Sequence, residues 1–121
     1  MTDKLPTIPE EAVAARLKGE LPGWYVENGW IRRKFSTDGW PTTLMLVNAI
    51  GFLSEAAYHH PDLEVTWGKI WVKLQTHSSG GITERDFALA KEIERLALWR
   101  PGAGSVMEGT PNKWVSAKRE A

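Results

Sequence analysis

The chain has 121 residues, with 15 Lys+Arg balanced by 15 Asp+Glu and an apolar share of 42%. That length fits one domain, 1–121, with a core it can close, and a formal charge of zero gives no support to direct nucleic-acid or anionic-membrane binding. The absence of cysteine removes disulfides, thiolate catalysis and Cys-ligated metal sites. No apolar run approaches the roughly 20 residues of a membrane span. Met1 to Pro6 lacks the apolar core of a signal peptide, so a cytoplasmic location is expected.

Thr7 and Glu10 have capping-box spacing, with Pro9 in the first turn, and predict a short helix to about Lys18. Val13 and Leu17 would share its inner face, and Gly19 would stop it. After the Leu21-Pro22-Gly23 turn, Trp24 to Glu27 and Trp30 to Phe35 flank Asn28-Gly29, a two-residue hairpin signal. In the second strand Ile31, Arg33 and Phe35 alternate with Trp30, Arg32 and Lys34. Neither face is purely apolar, so the hairpin is expected to be half exposed. Asp38-Gly39-Trp40-Pro41 opens the longest helix, with an apolar stripe of Met45, Ala49, Phe52 and Ala56 widened by Leu46, Ile50 and Leu53. Its other side, with Thr42, Asn48 and Ser54, is weakly polar, and a helix this apolar is expected to touch both the sheet and another subunit. Pro61 ends it, which leaves His59 and His60 in the last turn or just past it.

Leu63 to Trp67 and Ile70 to Thr76 form a second hairpin around Gly68-Lys69, with Ile70, Val72 and Leu74 on the core side. Ser78 to Gly81 is a turn. Thr83 caps a third helix whose buried stripe is Phe87, Ala90, Ile93 and Ala97. Residues 101–121 read as an irregular tail anchored by Trp114 and Val115. Two hairpins among three helices, in the order α-β-β-α-β-β-α, predict an α+β fold: a four-stranded antiparallel sheet with the helices on one face.

All three histidines, His59, His60 and His77, fall between Glu55 and Asp86. Imidazole is the side chain that exchanges protons near neutral pH, and two imidazoles flanking a substrate can take one proton and give another. Three could instead hold zinc with a water. Against that, His59-His60 lacks the i,i+4 spacing that puts two ligands on one helix face, since neighbours on a helix point about 100° apart. Taken singly, each histidine is a helix-terminal cation or a satisfied surface residue. Glu55 is a helix partner one turn before His59, and Asp86 is the capping-box carboxylate three residues after Thr83. Of the seven tryptophans, any one is more simply core or interface filling than a wall for a planar ring.

The spaced set Glu55, His59-His60-Pro61, Trp67, His77 and Asp86 resembles the pterin-4a-carbinolamine dehydratase family. Gly23-Trp24, Thr76-His77 and the Gly81-Ile82-Thr83-Glu84-Arg85-Asp86 segment are similar as well, and the likeness spans Thr7 to Leu98. Two departures stand out: Tyr58 where a polar residue is common, and the tail from Pro101. The resemblance implies dehydration of a 4a-hydroxytetrahydropterin to the quinonoid dihydropterin, in tetrahydropterin recycling. It implies His59 and His77 as the acid/base pair, His60 beside them mainly in binding, and Glu55 and Asp86 as orienting carboxylates. Trp24, Pro61, Trp67 and Thr76 would contact the pterin. No metal or redox cofactor is implied, because no electrons move. A homodimer or homotetramer is expected. A second reading is a non-catalytic relative acting as a dimerisation cofactor or assembly factor for a protein partner; an intact motif favours the enzyme.

Overall fold

A computed structural model describes residues 4–116. Residues 1–3 and 117–121, the ends of the Met1 to Pro6 segment and of the irregular tail read above, lie outside the described residues. The elements are α1 (Glu10–Glu20), β1 (Tyr25–Glu27), β2 (Trp30–Ser36), α2 (Trp40–Ala57), β3 (Asp62–Thr66), β4 (Lys69–Leu74) and α3 (Glu84–Ala97), with a 3-10 turn at His77–Ser79. The four strands form one antiparallel sheet in the order β1-β2-β4-β3. The α+β architecture and its element order are as expected.

The Asn28-Gly29 turn has positive φ at both residues, 51° and 78°, the twist that joins β1 to β2 with Glu27 opposite Trp30. The register pairs Ile31 with Leu74 and Phe35 with Ile70, which puts the buried side chains of the two central strands on one face. Val13 and Leu17 from α1, Leu46 and Ile50 from α2, and Phe87, Ala90 and Ile93 from α3 complete that core. Burying each large side chain contributes about 1.5–3 kcal/mol.

Four local expectations are corrected. Thr7 does not cap α1, which starts after Pro9 without a side-chain cap. The Ile8 N–H is drawn to the Ile82 carbonyl at 2.8 Å, which keeps this segment extended. The helix also continues through Gly19 to Glu20, helped by the Arg16–Glu20 pair one turn apart. The β3–β4 turn is one residue earlier than expected: Thr66 pairs with Lys69, so Trp67 and Gly68 make the bend.

The β1–β2 hairpin is half exposed as expected, but its inner face is closed: Arg33 is buried beside Ile31 and Phe35. Its Nε and Nη2 donate to Glu94 at 2.9 and 3.1 Å, Nη1 donates to the Lys34 carbonyl at 2.8 Å, and the guanidinium lies 4.3 Å from the Phe35 ring centre. A buried cation with this many acceptors is tolerated where an unpaired one would not be.

α2 buries the Leu46 and Ile50 edge of the expected stripe rather than its Met45 and Phe52 centre. Thr42, Thr43, Leu46, Ile50 and Ser54 face inward, while Met45 and Phe52 are exposed, Phe52 at 73%. Hydroxyls can face the core because helical carbonyls accept from them: Ser54 Oγ donates to the Ile50 carbonyl at 2.7 Å. Thr43 Oγ1 lies 2.9 Å from the carbonyls of both Gly39 and Trp67. Gly39 itself has φ 150°, and a Cβ there would come 3.3 Å from the Trp67 ring.

The tail returns to the start of α2. Val115 is buried and bridges Thr37, the Trp114 carbonyl accepts from the Asp38 N–H at 2.9 Å, and Arg100 holds the Val115 carbonyl at 2.6 Å.

Candidate active site

The site lies where the C-terminal end of α2 meets the end of β4 and the start of α3. Tyr58 closes α2 in the left-handed region, φ 51° and ψ 45°, with its N–H on the Glu55 and Ser54 carbonyls. The His59 N–H also bonds the Ser54 carbonyl, at 3.1 Å. This left-handed cap reverses the chain, and Pro61 prevents the helix from resuming. His59 and His60, adjacent in sequence, therefore leave the helix in different directions.

His59 turns inward. Its side chain is 13% exposed, and Nε2 lies 2.7 Å from Oδ1 of the fully buried Asp86. Asp86 Oδ2 accepts from Thr76 Oγ1 at 2.8 Å and from the Thr83 N–H at 2.9 Å. Since the Thr76 proton goes to Asp86, Thr83 Oγ1 donates to Thr76 across their 2.8 Å contact. Asp86 is thus both the capping-box carboxylate of α3 and the anchor of His59. A carboxylate that already accepts two hydrogen bonds takes a third from His59 Nε2–H, which leaves Nδ1 as the ring's free nitrogen. His60 turns outward, with Nε2 2.8 Å from Glu55 Oε1 and its ring edge-on to Tyr58 at 6.0 Å.

His77 opens the 3-10 turn directly after Thr76. The Thr76 backbone is fixed by its N–H on the Gly81 carbonyl at 2.9 Å. His59, His60 and His77 line one cleft of about 700 Å3 together with Tyr58, Thr76 and Arg85. A second cleft, about 340 Å3 on the open face of the sheet among Tyr25, Arg32, Trp71 and Lys73, carries no imidazole. The chain therefore gathers Glu55, His59, His60, Thr76, His77 and Asp86 within one site.

The other candidate residues lie elsewhere. Pro61 follows the histidine pair and shapes the backbone, but it does not line the cleft. Trp67 sits at the β3–β4 turn, against Gly39 at the opposite end of α2. Trp24 is buried in the core, its indole N–H donating to Glu94 at 2.8 Å. Sequence reasoning passed over two residues. Arg85 lines the cleft and forms, with His59, the wall shared with a more apolar groove of about 430 Å3 containing Leu53, Ala56 and Leu89. Its signal was a cation in the first turn of α3, where the helix dipole disfavours one. Trp30 meets the His77 ring at 5.5 Å.

Among the described residues no three His, Asp or Glu side chains gather in a way that could hold a metal ion, and no helix is long and apolar enough to cross a membrane. Two histidines backed by carboxylates and a third across the same cleft are suited to moving protons on and off a bound molecule.

Comparison with known proteins shows what the chain as a whole is similar to. The family model described as pterin 4 alpha carbinolamine dehydratase matches residues 6–96. A protein of Aquifex aeolicus (strain VF5), named as a candidate pterin-4-alpha-carbinolamine dehydratase, is 52% identical over 89 residues, 74% of this chain and 89% of its own length. A similarly named protein of Chloroflexus aurantiacus (strain ATCC 29366 / DSM 635 / J-10-fl) is 38% identical over 76% of this chain and 98% of its own. The crystal structure of a transcriptional coactivator/pterin dehydratase from Brucella melitensis superposes with a TM-score of 0.69 at 25% identity, over 75% of this chain and 98% of that one. A pterin dehydratase-like RuBisCO assembly factor of the alpha-carboxysome shares the fold, with a TM-score of 0.53 at 19% identity over 64% of this chain and 89% of its own. Motif, fold and similarity together show that the chain belongs to the pterin 4 alpha carbinolamine dehydratase family.

Proposed function

We propose that this chain removes water from a 4a-hydroxytetrahydropterin to give the quinonoid dihydropterin. The observation that carries the proposal is the convergence of His59, His60 and His77 on one cleft, with His59 backed by Asp86 and His60 by Glu55. The C4a–O bond breaks as one imidazolium gives its proton to the departing hydroxyl, which leaves as water. The N5–H bond gives its proton to the second imidazole, and its electron pair forms the new C=N bond. The acid ends neutral and the base protonated, so a proton passed back through water resets the pair.

His59 and His77 fill these two roles, with Asp86 and Thr76 fixing the tautomer and orientation of His59. His60 binds the ring, and Arg85 offers hydrogen-bond donors to its polar edge. The direct test couples the protein to a pterin-dependent hydroxylase and follows quinonoid dihydropterin. Acceleration over the uncatalysed dehydration supports the reading, and a rate equal to that without protein removes it. His60→Ala should raise KM more than it lowers kcat; an unchanged KM counts against a binding role.

The exposed face of α2, with Leu44, Met45 and Phe52, supports assembly into a homodimer or homotetramer. The same face favours a second reading, docking of a protein partner on a dehydratase-like scaffold. Phe52→Glu should shift the mass in light scattering to a smaller species. An unchanged mass would place any interface elsewhere.

A further inference from the structure

Two of the three imidazoles in the cleft are held by carboxylates, and the third is not. His77 stands on a fixed backbone, yet its side chain is exposed and has no hydrogen bond among the described residues. An exposed ring on a fixed backbone still has three staggered wells at χ1. Proton transfer requires a ring nitrogen within about 2.6–3.2 Å of the reacting atom.

One side chain supplies the missing constraint. The Trp30 indole meets the His77 ring at 5.5 Å between centroids and 76° between planes, an edge-to-face arrangement that aromatic pairs favour. Trp30 is itself held from several directions. It follows the Asn28-Gly29 turn, whose Gly29 carbonyl accepts from Gln75 Nε2 at 2.9 Å and whose Gly29 N–H reaches Glu10 Oε1 at 3.3 Å. Lys73 lies diagonally across the β2–β4 ladder, with Nζ 4.5 Å from the centre of the indole. The negative face of the ring attracts that ammonium. Lys73, Trp30 and His77 thus form one contiguous row running from the open face of the sheet into the cleft.

We propose that Trp30, braced by Lys73, is the positioning residue for His77, holding that imidazole in the orientation from which it exchanges a proton with the substrate. The proposal rests on the dehydratase reading of the cleft. It explains how a histidine with no polar partner can match the two that have one.

The test compares Trp30→Ala, Trp30→Phe and Lys73→Met in the full chain, by thermal melting, steady-state dehydration and NMR of the histidine ring protons. With three histidines in the chain the ring signals are few enough to assign. In Trp30→Ala the His77 signals should leave the ring-current field of the indole while those of His59 and His60 stay. The kcat should fall about threefold to tenfold with KM close to the parent value. Trp30→Phe should recover most of kcat, since a smaller ring still offers an edge or face. Folded Trp30→Ala with His77 signals and kcat at parent values overturns the proposal, as does Trp30→Phe no better than Trp30→Ala. If Trp30→Ala does not fold, Lys73→Met decides. It should move the His77 signals in the same direction by less and lower kcat about twofold, and no change in either is a refutation. A parent chain without turnover overturns the dehydratase reading instead, and the His77 signals then judge the placement on their own.

Discussion

The two ends of α2 are built from the same helix and do opposite things. At the N-terminal end, Thr43 closes on the Gly39 and Trp67 carbonyls, and the returning tail adds the Trp114 and Val115 bonds. Every one of those polar groups is used inside the fold. At the C-terminal end the helix stops at a left-handed tyrosine, 86% exposed, and hands over to two histidines that line a cleft, each with one ring nitrogen on a carboxylate. A closed set of hydrogen bonds gives rigidity, whereas a set left one partner short gives a place for a ligand. The fold supports the open end by completing the closed one.

The largest effect should come from removing the open end's chemistry. His59→Ala and His77→Ala should each lower kcat for dehydration by roughly 10²- to 10⁴-fold with unchanged melting cooperativity. Parent-like rates in both would show that neither imidazole moves a proton in the reaction. Next in size is the closed end: a chain ending at Gly109 loses Trp114 and Val115 and should be less stable by about 2–4 kcal/mol. Its histidine ring signals should stay in place. Loss of those signals' dispersion at a temperature where the core remains folded would mean that the two ends are not separable.

Tyr58→Gly should have a smaller effect, at the junction of α2 with the histidines. Glycine accepts the left-handed cap without strain, at some entropic cost, so about 0.5 kcal/mol of net stabilisation is expected in chemical denaturation. Lost stability instead would mean that the Tyr58–His60 ring contact outweighs backbone strain. The smallest effect lies away from both ends, where Arg16, Glu20, Glu84 and Lys91 tie α1 to α3. Hydrogen bonds from Arg16, and then from Lys91, hold the Glu20 carboxyl at about 2, below its ordinary 4.5, and Arg16 lowers Glu84 as well. Their depressed pKa values make the stabilisation complete above pH 4.5 and lost as the pH falls toward 2. An acid titration should show a slight, salt-screened slope in that window, and Glu84→Gln should flatten it.

What could be read from the sequence depended on how local the governing contacts were. The Asn28-Gly29 turn and the Thr83/Asp86 capping box are set by neighbours within a few residues, and both form as expected. Thr7 and Glu10 share the second pattern's spacing, yet a backbone bond from Ile8 to Ile82 overrides it. Arg33 kept the Ile31/Phe35 face from reading as purely apolar because the partner that lets it be buried, Glu94, is 61 residues away. Part of the inward face of α2 was hidden because Ser54 reads as polar until the Ile50 carbonyl that receives its proton is in place. The histidine cluster was legible because its members share one segment and a motif. The contact between Trp30 and His77 was not, since it joins β2 to the turn after β4 through a β2–β4 register that no local pattern encodes.

The most direct measurement is a titration of the full chain with a stable dihydropterin while the ring signals of all three histidines are followed. His59, His60 and His77 should move together along one saturation curve, as expected when three imidazoles border one bound ring. Movement of His59 and His60 with His77 unchanged, or no movement at all at saturating pterin, would contradict a shared site.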